Sequence, residues 1–143
     1  MFFRLLYRAK ANYPPFTFHD LEILRTAFAR NPKLGITGFL LRGETEYFQI
    51  LEGPRGQVET LADSIRADGR VYCYIPIWSG PVDVRLFGPW TMGFHVFDNH
   101  GDGLLQRLSR LTDDTPTSFK QQAIRDVAQL ALDEHKRAAN GSP

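Results

Sequence analysis

In FFRLLYR, Phe3, Leu5 and Tyr7 alternate with Phe2, Leu6 and the charged Arg4 and Arg8, the two-residue period of a strand that starts almost at residue 1. Tyr7 therefore shares a face with Phe3 and Leu5. After the NYPP turn, Thr17 with Asp20 three positions on predicts a capped helix, and Leu21, Leu24 and Phe28 recur at helical spacing up to Asn31. GITGFLLRGETEYFQILEG holds two strand-like runs around the short connection Arg42, Gly43, Glu44, which predicts a hairpin with Gln49 on its second arm. Val58, Leu61, Ala62 and Ile65, following Pro54 and Gly56, predict a second amphipathic helix that Asp68 and Gly69 end. VYCYIPIW and RLFGPWTMGFHVF supply two more strands, and Pro76 and Pro89 push them toward edges or bulges.

The order is β-α-β-β-α-β-β, an α+β, ferredoxin-like arrangement with two helices on one face of a mixed sheet. Phe2, Leu6, Phe48 and Ile50 fall on the face opposite Tyr7 and Gln49, and so large an apolar surface needs a cover. The tail provides one. Leu104, Leu105, Leu108 and Leu111 predict a short helix; beyond the DDTPTS turn, Phe119, Ala123, Val127 and Leu130 stripe a longer one. The expected division is a domain over residues 1–97 and a helical extension over 98–143 that packs on the back of the sheet or across a dimer, with AANGSP frayed at the end.

Composition narrows the function more than the fold. A chain of 143 residues, 43% hydrophobic, suits a single core, and 17 basic against 16 acidic residues leave no electrostatic footprint for nucleic acid or an anionic membrane. With no apolar run of membrane length and no secretory signal in MFFRLLYRAK, the expectation is a cytoplasmic protein. Cys73, the one cysteine, lies in an apolar stretch and reads as a buried structural thiol. His19, His95, His100 and His135 show no zinc spacing, DNHGDG lacks the Glu of a calcium loop, and no Walker, GxGxxG or GxSxG stretch occurs. Metal, phosphate-loop and covalent hydrolytic chemistry have no support here.

What remains is Gln49. On its arm it points the same way as Tyr47 and Leu51, toward a buried face, where an unpaired amide costs roughly 1–3 kcal/mol. Tyr7, on the same side of the first strand, offers a hydroxyl as partner. From the residues alone this reads first as a satisfied structural pair.

Tyr7 in LLYRAKA, Asn31 in ARNPKLGITG, Gln49 in YFQILEGP, and Trp90 with Met92 in FGPWTMGF together resemble the signature of BLUF domains, blue-light sensors that use flavin, from about Phe2 to Phe97. The resemblance implies a non-covalent FAD, with FMN as the alternative, held between the two helices, and no enzyme activity. It implies that Ile23, Leu24, Leu61 and Ile65 wall the ring. It implies that Asn31, with its neighbour Arg30, pairs with the ring's polar edge, and that Arg70 contacts a carbonyl or the cofactor's tail. Helix C-cap for Asn31 and surface cation for Arg70 stay open. Gln49 would bridge Tyr7 and the ring, and light would drive an electron and a proton from Tyr7 and leave the amide rotated or tautomerised. Trp90 and Met92, two apart on one strand face, would pass the change to the tail helices and on to a protein signalling partner or within a homo-oligomer. Ala9 replaces a common Ser, and Gly69 with Val71 alters the turn after the second helix, which puts tail contacts there in question. A small flavin oxidoreductase and a light-insensitive interaction module are the alternatives.

Overall fold

The alternation of the first and third strands meets in the middle of the sheet. In the computed structural model, which describes residues 1–15, 17–69, 71–98 and 101–140, β1 (Phe2–Ala11) and β3 (Glu46–Gly53) pair antiparallel with Tyr7 directly opposite Gln49. β2 (Thr37–Arg42) completes a hairpin with β3, β4 (Val71–Val82) flanks β1, and β5 (Gly93–Val96) runs parallel to β2. The order is β4-β1-β3-β2-β5. β1 and β3 are central and covered on both faces, so odd and even positions are alike apolar.

One face, here the front, carries α1 (Phe18–Leu34) and α2 (Arg55–Arg66). Phe3, Leu5, Tyr7, Leu40 and Leu51 pack there with Ala27, Val58 and Leu61. The back face carries α3 (Gly103–Ser109) and α4 (Thr117–Asn140), whose Leu108, Ala123, Ile124 and Val127 cover Leu6, Phe39, Phe48 and Ile50. Each such buried side chain contributes about 1.5–3 kcal/mol, so the tail helices belong to the hydrophobic core of the folded chain. Asp102 caps α3 by accepting from the backbone N–H groups of Leu104 at 2.9 Å and Leu105 at 3.2 Å. The α+β fold with two helices on the back is as the pattern predicts.

Five local expectations fail. The capping box at α1 does not form: Thr17 Oγ1 donates to the Pro14 carbonyl at 3.0 Å, and Asp20 turns inward to accept from Tyr47 O–H at 2.7 Å. With Asp20, Ala27 and Asn31 as its buried residues, α1 leaves Leu21 66% and Phe28 54% exposed. Asn31 does not end the helix, which runs through Pro32 to Leu34 and stops at Gly35 in the left-handed conformation, φ 67°. In α4 the buried stripe shifts to Ala123, Ile124, Val127 and Ala131, and Phe119 is exposed.

The fifth concerns Cys73, which is exposed rather than buried. Between the pairs Arg8–Ile75 and Lys10–Tyr72 the register shifts, so Ala9 faces both Cys73 and Tyr74. This is a β-bulge, and Cys73 occupies it at φ 51°, a conformation that costs a non-glycine residue about 1–2 kcal/mol. The predicted fraying of AANGSP concerns mainly residues 141–143, outside the described residues; α4 itself extends to Asn140.

Candidate functional site

Tyr7 and Gln49 face the front layer from adjacent central strands, and their side chains meet: Tyr7 O–H donates to Gln49 Oε1. The other end of the amide is also engaged, with Gln49 Nε2 donating to Met92 Sδ at 3.4 Å. Gln49 is 4% exposed. Burial, reinforced by the neighbouring Tyr74 and Tyr47, holds the Tyr7 phenol far above its usual range, so it stays a proton donor at every ordinary pH. The pair is a buried phenol and a buried amide with no charge on either. A primary amide has one acceptor and two donor hydrogens on a rotatable bond, so it can exchange partners without moving the backbone.

Above this pair, between α1 and α2, lies a slot with apolar walls from Ile23, Ala27, Leu40 and Ile65. Its floor is Tyr7, Tyr47 and Gln49, and Thr26, Arg30 and Asp68 also line it. Apolar walls around a few convergent polar groups are what a planar ring with one polar edge requires, so the residues fit a flavin by their chemistry. The slot measures about 50 Å³, whereas small-molecule pockets start at about 300 Å³. Seating a ring thus requires the slot to widen, and of its two walls α1 packs less closely on the sheet than α2.

Of the residues expected around the ring, Ile23, Ile65 and Arg30 line the slot, while Leu24 and Leu61 pack in the front cluster without lining it. Arg70 lies outside the described residues. Asn31, fully buried, donates from Nδ2 to the Thr91 carbonyl at 2.8 Å and accepts at Oδ1 from Arg30 Nε at 3.2 Å. It tethers α1 to the segment that carries Trp90 and Met92.

That segment is not a strand. Regular β5 begins only at Gly93, which packs so closely on Phe39 that a Cβ there would sit 2.3 Å from its ring. Trp90 and Met92 consequently do not share a face. Met92 joins the front cluster at Gln49, and Trp90 packs on the back, 5.9 Å from Phe39 and 6.0 Å from His135 of α4, both edge-on.

Several neighbours escape the sequence reading. Tyr47 had a signal, because it lies two positions before Gln49 on one face of β3; Asp20 was legible only as a cap. Thr91 acts through its carbonyl and so leaves no mark in the sequence. Tyr74 stacks on Tyr7 at 4.7 Å between ring centroids because the register of β4 shifts between Leu6–Trp78 and Tyr7–Pro76. No group of three or more His, Cys, Asp or Glu side chains placed to hold a metal ion occurs among the described residues. No helix among them is long and apolar enough to cross a membrane.

Comparison with known proteins agrees with this geometry. The family model for sensors of blue-light using FAD, BLUF, matches residues 2–93. The photoactivated adenylate cyclase subunit beta of Euglena gracilis is 32% identical over 103 residues, 71% of this chain and 12% of that protein. Subunit alpha from the same organism is 38% identical over 84 residues, 59% of this chain and 8% of that one. The chain thus spans 12% or less of either relative's length. The dark-state structure of BlrB, a BLUF protein, superposes with a TM-score of 0.74 at 28% identity, covering 90% of this chain and 96% of that one.

Proposed function

The chain belongs to the BLUF family, sensors of blue light that use FAD rather than enzymes, and from that premise we propose that light rearranges the Tyr7–Gln49 pair and that the change leaves the site through Met92. Bound FAD supplies the chromophore and, once excited, the electron acceptor. Ile23 and Ile65 hold the ring's faces, and Asn31 and Arg30 hold its polar edge. Tyr7 gives up an electron and passes its proton along the hydrogen bond to Gln49. When both return, the amide keeps a new orientation or tautomer and so presents a donor where it had presented another group.

The observation that carries this reading is that the one amide has its two ends on Tyr7 and on Met92. Turning it breaks both contacts at once. Met92 leads directly into β5, and on β5 His95 bonds Glu134 of α4, while Trp90 touches His135 one residue further on. A shift at Met92 is therefore felt on the back of the sheet. On this reading residues 1–97 sense light and 98–143 transmit it to a protein partner or a second copy of the chain. The adenylate cyclase subunits, in which the matching segment is a small part of a long protein, favour an output of that kind.

The test is an absorption spectrum of the FAD-loaded protein before and after blue light. A red shift that reverses in darkness is expected. A protein that stays colourless with FAD, or whose spectrum ignores light, contradicts the reading.

A further inference from the structure

Tyr7 has a second aromatic neighbour to which no part of the light response has been assigned. Tyr74 of β4 lies nearly parallel to it, with 4.7 Å between centroids and 25° between planes. The register shift between Leu6–Trp78 and Tyr7–Pro76 delivers this contact, because it puts Pro76, and with it Tyr74 two residues away, on Tyr7's face of the sheet. A second bulge, at Ala9, inserts one more residue into β4, and Cys73 takes a left-handed conformation that side-chain-bearing residues rarely adopt. With that residue inserted, Val71 and Tyr74 both belong to the front cluster. Bulges beside functional sites commonly re-aim a side chain, and a strained residue persists only where its surroundings impose it. The half-buried Tyr74 also carries the Arg66 guanidinium over its ring at 4.6 Å.

We infer that Tyr74 is a positioning residue for electron donation, a π-face held against Tyr7 that stabilises the positive charge appearing on Tyr7 when it is oxidised. This rests on the reading of Tyr7 as the donor. One electron would leave Tyr7 for the excited flavin and the phenolic proton would move toward Gln49 Oε1; both return when the charges recombine, so no bond is lost and no outside oxidant is consumed. Tyr74 itself is neither oxidised nor deprotonated. Its ring presents electron density to a neighbouring cation, as aromatic faces do in cation–π pairs. Without that face the charge-separated state is less stable, and donation competes less well with fluorescence.

The experiment is the decay of flavin fluorescence in FAD-loaded wild type and in Tyr74→Leu, Tyr74→Phe and Tyr74→Trp, with FAD affinity and the dark spectrum as checks on folding. Tyr74→Leu should slow the decay roughly two- to tenfold. Tyr74→Phe should fall between it and wild type, and Tyr74→Trp should match or exceed wild type. Equal decay in all of them overturns the inference. If Tyr74→Leu fails to bind FAD, the Phe and Trp variants decide: Trp faster than Phe supports the role, and equality refutes it. Tyr7→Phe separates the two claims, because decay in that variant as fast as wild type would remove Tyr7 as donor and take the proposed function with it.

Discussion

Gln49 Nε2 donates to Met92 Sδ across 3.4 Å, linking the centre of β3 to the residue just before β5. Sulfur is a weak acceptor, yet the amide is buried and has few alternatives. Met92→Leu keeps the volume and removes the acceptor, which costs the dark arrangement about 1 kcal/mol. Recovery in darkness should slow by up to about fivefold, followed as the return of the absorption spectrum, with FAD affinity unchanged. A recovery rate equal to wild type would show that this bond does not define the dark state.

The segment carrying Trp90 and Met92 hangs from Glu52. This fully buried carboxylate accepts from Arg4 Nε at 2.7 Å and from the backbone N–H groups of Leu86 at 3.0 Å and Phe87 at 2.7 Å. Removing it leaves a buried guanidinium without its counter-charge and two backbone donors, the Phe87 N–H among them buried, without an acceptor. Glu52→Ala should lose about 3–5 kcal/mol in urea unfolding, and Glu52→Gln, which keeps an acceptor, should lose less. Equal, small losses in both would mean that water replaces the carboxylate.

How much of this was legible in the sequence follows from where regular geometry holds. The faces of β1 and β3, the Tyr7–Gln49 pair and the cover on the back all come from a two-residue period that the central strands obey. The failures lie where the chain departs from a period or where polar groups go inward. Leu21 and Phe28 suggested the buried side of α1, but Asp20 has Tyr47 and Arg42 to meet and Asn31 has Thr91, so the apolar residues turn outward. Trp90 and Met92 were assigned one face by counting along a strand that begins only at Gly93. The two register shifts in β4, one that brings Tyr74 to Tyr7 and one at Cys73, are invisible to alternation for the same reason.

Alkaline pH offers a test of the buried phenol. Tyr7 ionises near 10.0 in the unfolded chain, and burial holds it well above that in the folded one. Its contribution is complete below pH 10 and is lost as pH rises beyond it, because the unfolded state then releases a proton that the folded state keeps. Stability should fall by about 1.4 kcal/mol per pH unit for this group. Tyr74, raised by burial in the same direction, adds to the decline. In urea titrations from pH 9 upward, Tyr7→Phe should flatten the fall; an unchanged slope would show the phenol to be less enclosed than it is here.

Transmission to α4 is testable apart from photochemistry. His95 and Glu134 are partly exposed, so their pair contributes about 1 kcal/mol or less and its loss should not unfold the helix. Glu134→Ala should leave the light-induced spectral shift intact and diminish any light-dependent change in hydrogen exchange over residues 117–140. A wild-type exchange response in that variant would place the route elsewhere.

The light response turns on Gln49, and its most direct measurement is the light-minus-dark absorption spectrum of FAD-loaded Gln49→Leu beside wild type. Leucine fills the same space but has neither acceptor nor donor to exchange. The variant is expected to bind FAD and to show no red shift, whereas a shift of wild-type size would contradict the central claim.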